Sequence, residues 1–220
     1  MNDQAILLLA SNSPRRRDLL ALGGLAFNAT GTDVDETPLA GESPGNYVIR
    51  LAQAKARAVI EKAHCRQIII GSDTTVTADH AILGKPVDEA DAGKMLKQLR
   101  GRTHQVYTGV AVCHMPDGKM ITELCVTDVP MRAYSDDEIS AYIKTGDPLD
   151  KAGAYAIQHA GFNPVESMRG CYASVMGLPL CHLTRALQKM DVAFAADMSH
   201  ACQTFLKYEC PVSSVILRSK

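Results

Sequence analysis

The sequence predicts a mixed α/β fold built on a central sheet whose strands run in both senses. Short apolar runs rich in β-branched residues, such as Gln67 to Ile70, alternate with amphipathic stripes at helical spacing. That alternation has no strict strand–helix–strand repeat, which argues against a purely parallel sheet. The 220 residues, 46% of them hydrophobic, suffice for one sizeable core or two closely apposed lobes around a cleft.

From the start of the chain, Ile6 to Leu9 reads as a buried strand. Ser11-Asn12-Ser13 then turns into a helix opened by Pro14, capped by Ser13 and stopped by Gly23-Gly24. A turn-rich stretch with Asp33, Asp35, Glu36 and Pro38 leads to a long helix from about Pro44 to Ala63. Its apolar stripe is formed by Tyr47, Val48, Leu51, Ala52, Ala54, Ala58 and Val59. Gln67 to Ile70 is a strand ending at Gly71-Ser72-Asp73, followed by Thr74 to Thr77, a turn near Asp79-His80 and a return strand toward Leu83. Asp88 to Leu99 reads as a helix with Gly101 behind it, and Gln105 to Cys113 pairs with Ile121 to Met131 as a hairpin turned at Pro116-Asp117-Gly118. Ser135-Asp136-Asp137-Glu138 is a capping box for a helix to about Thr145, ended by Gly146 and Pro148. Strands near Ala154 to Gln158 and Pro164 to Ser167, then a helix from about Leu180 to Met190, complete the pattern. The character changes at Ala193, so we expect a domain over 1–192 and a C-terminal extension over 193–220 that serves packing or a dimer contact.

Charge and cysteine usage narrow the classes. A net charge of -1 gives no global attraction to nucleic acid or membrane, and neither is expected as a partner. Affinity for a polyanion has to come from a local cluster, of which Arg15-Arg16-Arg17 is the sharpest. No apolar run is long enough to span a bilayer, and Ala5 to Ala10 is too short for a signal-peptide core. Seven widely spread cysteines with no Cys-x-x-Cys pair suit a reducing cytoplasm and give no structural zinc knuckle. A Walker loop and a Gly-x-Gly-x-x-Gly fingerprint are both missing, which leaves P-loop ATPase and Rossmann dehydrogenase chemistry without support.

Breaking a phosphoanhydride needs cationic or N–H donors around the phosphates, carboxylates for a divalent metal, and a group that takes a proton from water. Ser11-x-Ser13-Pro14-Arg15-Arg16 gathers hydroxyls, a helix N-terminus and two guanidiniums in one turn; alone, it reads equally as a solvated basic helix face. Asp73, flanked by Gly71, Ser72, Thr74 and Thr75, faces a cleft in one reading and caps a turn in the other. Asp35 and Glu36 are candidate metal ligands on a loop. Lys85 precedes the rigid Pro86, and Lys55 lies mid-helix; neither lysine is diagnostic alone. His104 reads first as a hydrogen-bonded strand-edge residue.

Taken in order, several segments closely resemble the Maf family of nucleotide pyrophosphatases. They are Leu-Leu-Ala-Ser-Asn-Ser-Pro-Arg-Arg (8–16), Asp-Val-Asp-Glu (33–36), Arg-Leu-Ala-Gln-Ala-Lys-Ala (50–56), Gly-Ser-Asp-Thr (71–74) and Leu-Gly-Lys-Pro (83–86). Gly-Arg-Thr-His-Gln-Val-Tyr-Thr-Gly (101–109), Asp-Lys-Ala-Gly-Ala-Tyr-Ala-Ile-Gln (150–158) and Gly-Leu-Pro-Leu (177–180) continue the series. The resemblance implies a two-lobed fold like that of inosine triphosphatases, with a central mixed sheet and a nucleotide cleft. It also implies a divalent cation, magnesium or manganese, and hydrolysis between the α and β phosphates. Asp73 matches the family's proton acceptor. Ser11, Arg16, Lys55 and Lys85 would hold phosphates, Glu36 and Asp73 would handle metal and water, and Lys151 would reach the same cleft.

Arg15, Thr74 and Gln158 make the chain similar to the dTTP/UTP branch of the family rather than its 7-methyl-GTP sister. A Gln amide is complementary to the O4 and N3–H edge of uracil or thymine. The family is also linked to arrest of septum formation, so a nucleotide-binding regulator is the competing expectation, and an intact Asp73 favours the enzyme. A homodimer is implied by resemblance alone. Residues 159–171 are looser than the family pattern, and the stretch after Met190 lies outside it.

Overall fold

The computed structural model describes residues 6–64, 66–79, 81–115 and 117–218. His80 and Pro116, which the sequence places in turns, and Cys65 lie outside the described residues. The chain runs β1 (Leu7–Ala10), α1 (Pro14–Ala21), β2 (Phe27–Thr30), α2 (Pro44–Arg57), β3 (Ile68–Ala78), β4 (Ala81–Leu83), α3 (Glu89–Leu99), β5 (Thr103–His114), β6 (Met120–Pro130), α4 (Asp136–Ile143), α5 (Tyr172–Val175), α6 (Leu180–Gln188), α7 (Met198–Leu206) and α8 (Ser213–Arg218). The fold is mixed α/β, as expected. The sheet order is β2-β1-β3-β5-β6, with β4 on the far half of β3. β1 pairs in parallel with β2 and β3, while β4, β5 and β6 pair antiparallel.

Alternation along each strand sorts the core into two layers. Leu7, Leu9, Ile68, Ile70, Val110 and Val112 face the main core, which α1, α3, α4 and α6 cover. Leu8, Ala10, Ile69, Ala111 and Cys113 face the other way, against Ala52 and Ala56 of α2. The helix lies unusually close to the sheet because two strand residues opposite it are glycines. A Cβ at Gly71 would sit 2.1 Å from the Ala52 carbonyl oxygen, and one at Gly109 would sit 2.5 Å from that of Val48.

Local signals held where chemistry fixes them. Ser135 and Glu138 form the reciprocal capping box on α4, an arrangement worth about 1 kcal/mol. Pro14 opens α1, but the side chain of Ser13 at the cap position accepts no hydrogen bond from the helix. Its own N–H instead donates to Ser11 Oγ at 3.1 Å.

The strands expected over Ala154 to Gln158 and Pro164 to Ser167 do not form. Gly153 and Ala154 both adopt left-handed φ, at 68° and 59°, which an extended strand cannot carry. Ala154, Tyr155 and Ile157 are apolar because they fill the main core, and a single bridge, Met131 to Val165, is the sheet pairing described there.

Beyond residue 192 the chain packs back on the main body. Ala195 N–H donates to Gly23 O, Arg185 reaches Ile216 O, and Tyr208 OH donates to Gly170 O. Among the described residues no helix is long and apolar enough to cross a membrane.

His104 is an interior residue, not the satisfied strand-edge residue expected. Its Nε2 lies 2.8 Å from Tyr155 OH, and its Nδ1 is buried with no hydrogen-bond partner among the described residues. Burial pulls its pKa from 6.5 down to about 4. The unfolded chain therefore takes up this proton first. The stability that neutral His104 provides is complete above about pH 6.5 and is lost as pH falls toward 4, by up to about 3 kcal/mol. Denaturant unfolding at pH 7 and pH 5 should show a drop of about 2 kcal/mol that a His104→Gln variant lacks. Equal drops in both proteins would place this proton elsewhere.

Candidate active site

Asp73 is mid-strand in β3, not at its end. One edge of β3 pairs with β5 from Ile68 to Thr77. The other edge pairs with β1 only through Ile70 and with β4 only from Val76. Gly71 to Thr75 thus form a stretch with one open edge, at the carboxyl end of β1 where parallel pairing stops. A switch in pairing at the carboxyl end of a strand is where α/β sheets place ligands.

Around this gap lies a cleft of about 580 Å³. One wall is Ser11 to Arg16, Glu36 and α2; the other is 147–158 and 175–177. Nine of the residues singled out in the sequence, Ser11, Arg15, Arg16, Glu36, Lys55, Asp73, Thr74, Lys85 and Gln158, line it. Lys85 and Gln158 are exposed at its rim, while Ser11, Lys55 and Asp73 are buried. Asp35 does not line the cleft; its carboxylate accepts the Thr37 N–H at 2.9 Å and shapes the loop. Lys151 does line it, but its ammonium is held by Asp150 Oδ1 at 2.6 Å and Asp147 Oδ1 at 3.0 Å.

The floor is an ion-pair triad. Lys55 Nζ lies 2.5 Å from Asp73 Oδ1 and 2.6 Å from Glu36 Oε1. Burial pushes Asp73 above its ordinary value, and the charges of Lys55 and Arg16 restrain the rise. Burial raises Glu36 too, but the Lys55 hydrogen bond and charge outweigh it and leave Glu36 below its ordinary value. The loop carrying Glu36 is pinned by α2. Tyr47 OH donates to Glu36 O at 2.8 Å, and burial among these carboxylates pushes that phenol up to about 12.

Arg16 Nε donates to Gly177 O at 2.8 Å, Nη2 to Thr74 Oγ1 at 3.3 Å and Nη1 to Ser11 Oγ at 3.4 Å. Burial lowers its pKa, and Asp73 offsets this. Among the described residues no group of three or more His, Cys, Asp and Glu side chains is arranged to hold a metal. Two carboxylates that each keep a second oxygen are nevertheless the donor set that a magnesium-like ion uses when phosphate oxygens and water complete its shell.

A family model described as Maf-like protein matches residues 6–190. The chain belongs to the Maf family. A dTTP/UTP pyrophosphatase of Geotalea uraniireducens (strain Rf4) is 46% identical over 190 residues, covering 86% of this chain and 97% of the relative. One from Bacillus mycoides (strain KBAB4) is 44% identical over 195 residues, covering 89% and 98%. The structure of the Staphylococcus aureus Ham1 protein is similar at a TM-score of 0.40 and 16% identity over 91% of this chain and 97% of that one.

The whole cleft lies inside the Maf match, and α7 and α8 lie beyond it. Sequence reasoning missed Tyr47 as the clamp on Glu36 and the Gly177 carbonyl as the anchor of Arg16. A signal for Lys55 was present: it follows Tyr47, Val48 and Leu51 by eight, seven and four residues, which puts it on the buried face of α2.

Proposed function

We infer that this Maf protein hydrolyses dTTP and UTP to the monophosphate and pyrophosphate. The observation that carries this is the Asp73–Lys55–Glu36 triad on the floor of a cleft whose rim holds Arg15, Arg16 and Lys85. The names of the relatives at 44–46% identity support the same reaction.

The triphosphate is held by charge. Arg16, Lys85 and Lys55 face its oxygens, Ser11 supplies a hydroxyl, and the Arg15 and Arg16 N–H groups in the first turn of α1 lack intrahelical acceptors. Asp73 takes the proton of a water attacking the α phosphorus, and its burial makes the carboxylate a stronger base than in solvent. Lys55 keeps Asp73 and Glu36 from repelling one another and offers its charge to the departing pyrophosphate. Asp73 and Glu36 would hold a divalent cation, magnesium or manganese, which supplies charge neutralisation for the phosphates. Gln158 and Arg15 at the mouth read the base. The 193–220 segment serves packing.

The test is product analysis with magnesium or manganese against dTTP, UTP, CTP, GTP, ATP and 7-methyl-GTP. Monophosphate plus pyrophosphate from dTTP and UTP is expected. Pyrophosphate from another base would overturn the base assignment, stepwise inorganic phosphate would overturn the reaction, and binding without turnover would favour a nucleotide-binding regulator.

A further inference from the structure

The 101–109 segment brings no charged side chain to the cleft, yet Thr108 within it anchors a chain of hydroxyls that ends at Arg16. Thr108 is fully buried and does not line the cleft. Its Oγ1 donates to Ser174 O at 2.8 Å. A hydroxyl has one proton, so in the 3.0 Å contact between Thr108 and Thr74 it is Thr74 that donates. Thr74 Oγ1 then has only lone pairs for Arg16, whose Nη2 donates to it at 3.3 Å. Every bond in the series has one direction: Arg16 to Thr74, Thr74 to Thr108, Thr108 to the Ser174 carbonyl.

A second route holds the same edge of the guanidinium, the one formed by Nε and Nη2. Gly177 O accepts from Arg16 Nε at 2.8 Å and lies 2.8 Å from Ser72 Oγ, whose single proton it shares with Gly109 O at 3.0 Å. Gly177 has φ 103°, and a Cβ there would meet Arg16 Nε at 3.1 Å and Thr74 Oγ1 at 3.3 Å. Ser174 and Gly177 belong to one short segment around α5, so both routes refer Arg16 to the same piece of backbone. Each Nη of Arg16 carries a second N–H beyond these bonds, and the plane of the fork decides where that N–H points.

We propose that Thr108 is a positioning residue that sets the plane of the Arg16 guanidinium through the Thr74 hydroxyl. This rests on the reading of Arg16 as a phosphate ligand.

Calorimetric binding of magnesium α,β-methylene-dTTP to Thr108→Val, Thr108→Ser and Thr74→Val tests it, with each substitution repeated in an Arg16→Lys background. Loss of the hydroxyl in Thr108→Val should weaken Kd about tenfold, and Thr108→Ser should restore it to within about twofold. Thr74→Val, which cuts the chain at the next link, should give the same loss and add nothing to Thr108→Val. In Arg16→Lys, which keeps the charge but not the fork, neither valine should have a further effect. An unchanged Kd in both valine variants, or an equal loss in the Arg16→Lys background, overturns the proposal, as does a protein that binds no nucleotide. Turnover of the unmodified protein on dTTP, run alongside, judges the pyrophosphatase reading separately: binding without turnover sinks that reading and leaves the Thr108 result standing.

Discussion

Replacing Asp73 with Asn is expected to lower kcat for dTTP by at least about two orders of magnitude, with nucleotide affinity and thermal midpoint nearly unchanged. The substitution keeps the size of the side chain and its place in β3 while removing the basic oxygen. Lys55 does not become an unpaired buried charge, because Glu36 remains 2.6 Å from it. Truncation to Ala would instead confuse loss of a proton acceptor with a packing defect at a residue only 6% exposed. Single-turnover kinetics with magnesium would separate the chemical step from binding. An Asn variant that keeps its full rate would remove Asp73 from the chemistry.

Gly71→Ala should be nearly as damaging, by a different route. The added methyl would lie 2.1 Å from Ala52 O, 2.9 Å from Ala56 N and 3.1 Å from Ala56 Cβ. Two of those atoms are helix backbone and cannot swing aside as a side-chain tip would. Overpacking of this kind costs about 1–3 kcal/mol, relieved only if α2 lifts off the sheet. Lys55 follows Ala52 by three residues, so it moves with the helix. A misplacement of about 1 Å at a catalytic group costs on the order of 100-fold in rate. Denaturation midpoint and kcat/KM should therefore fall together. A variant that keeps both would show that α2 does not need its close seat on Gly71.

The nine cleft residues were legible through the ordered series of family segments; taken singly, the arginine turn, Asp73 and the two lysines each carried a bland reading as well. Asp73 itself was placed at a strand end because the apolar run stops at Ile70 and the polar residues Ser72, Asp73, Thr74 and Thr75 follow Gly71. They are strand because each polar side chain has a partner or a cleft to face, which depends on Gly109, Gly177 and Thr108 from distant segments. The false strand at Ala154 to Gln158 has the converse cause. Its apolar residues fill the core from an irregular backbone, and a short apolar run looks the same in either setting. The roles of Tyr47, Thr108 and Gly177 carried no local signal, since each exists only once the chain has closed on itself.

That closure has an order imposed by synthesis. Arg16 leaves the ribosome early, but the carbonyl that fixes it belongs to Gly177, 161 residues later. The wall formed by 147–158 is likewise made long after β1 and α1. A nascent chain therefore carries a loose basic turn and a solvated Asp73 until most of its length has emerged. Nucleotide cannot guide the early steps of folding; it can only reward their completion.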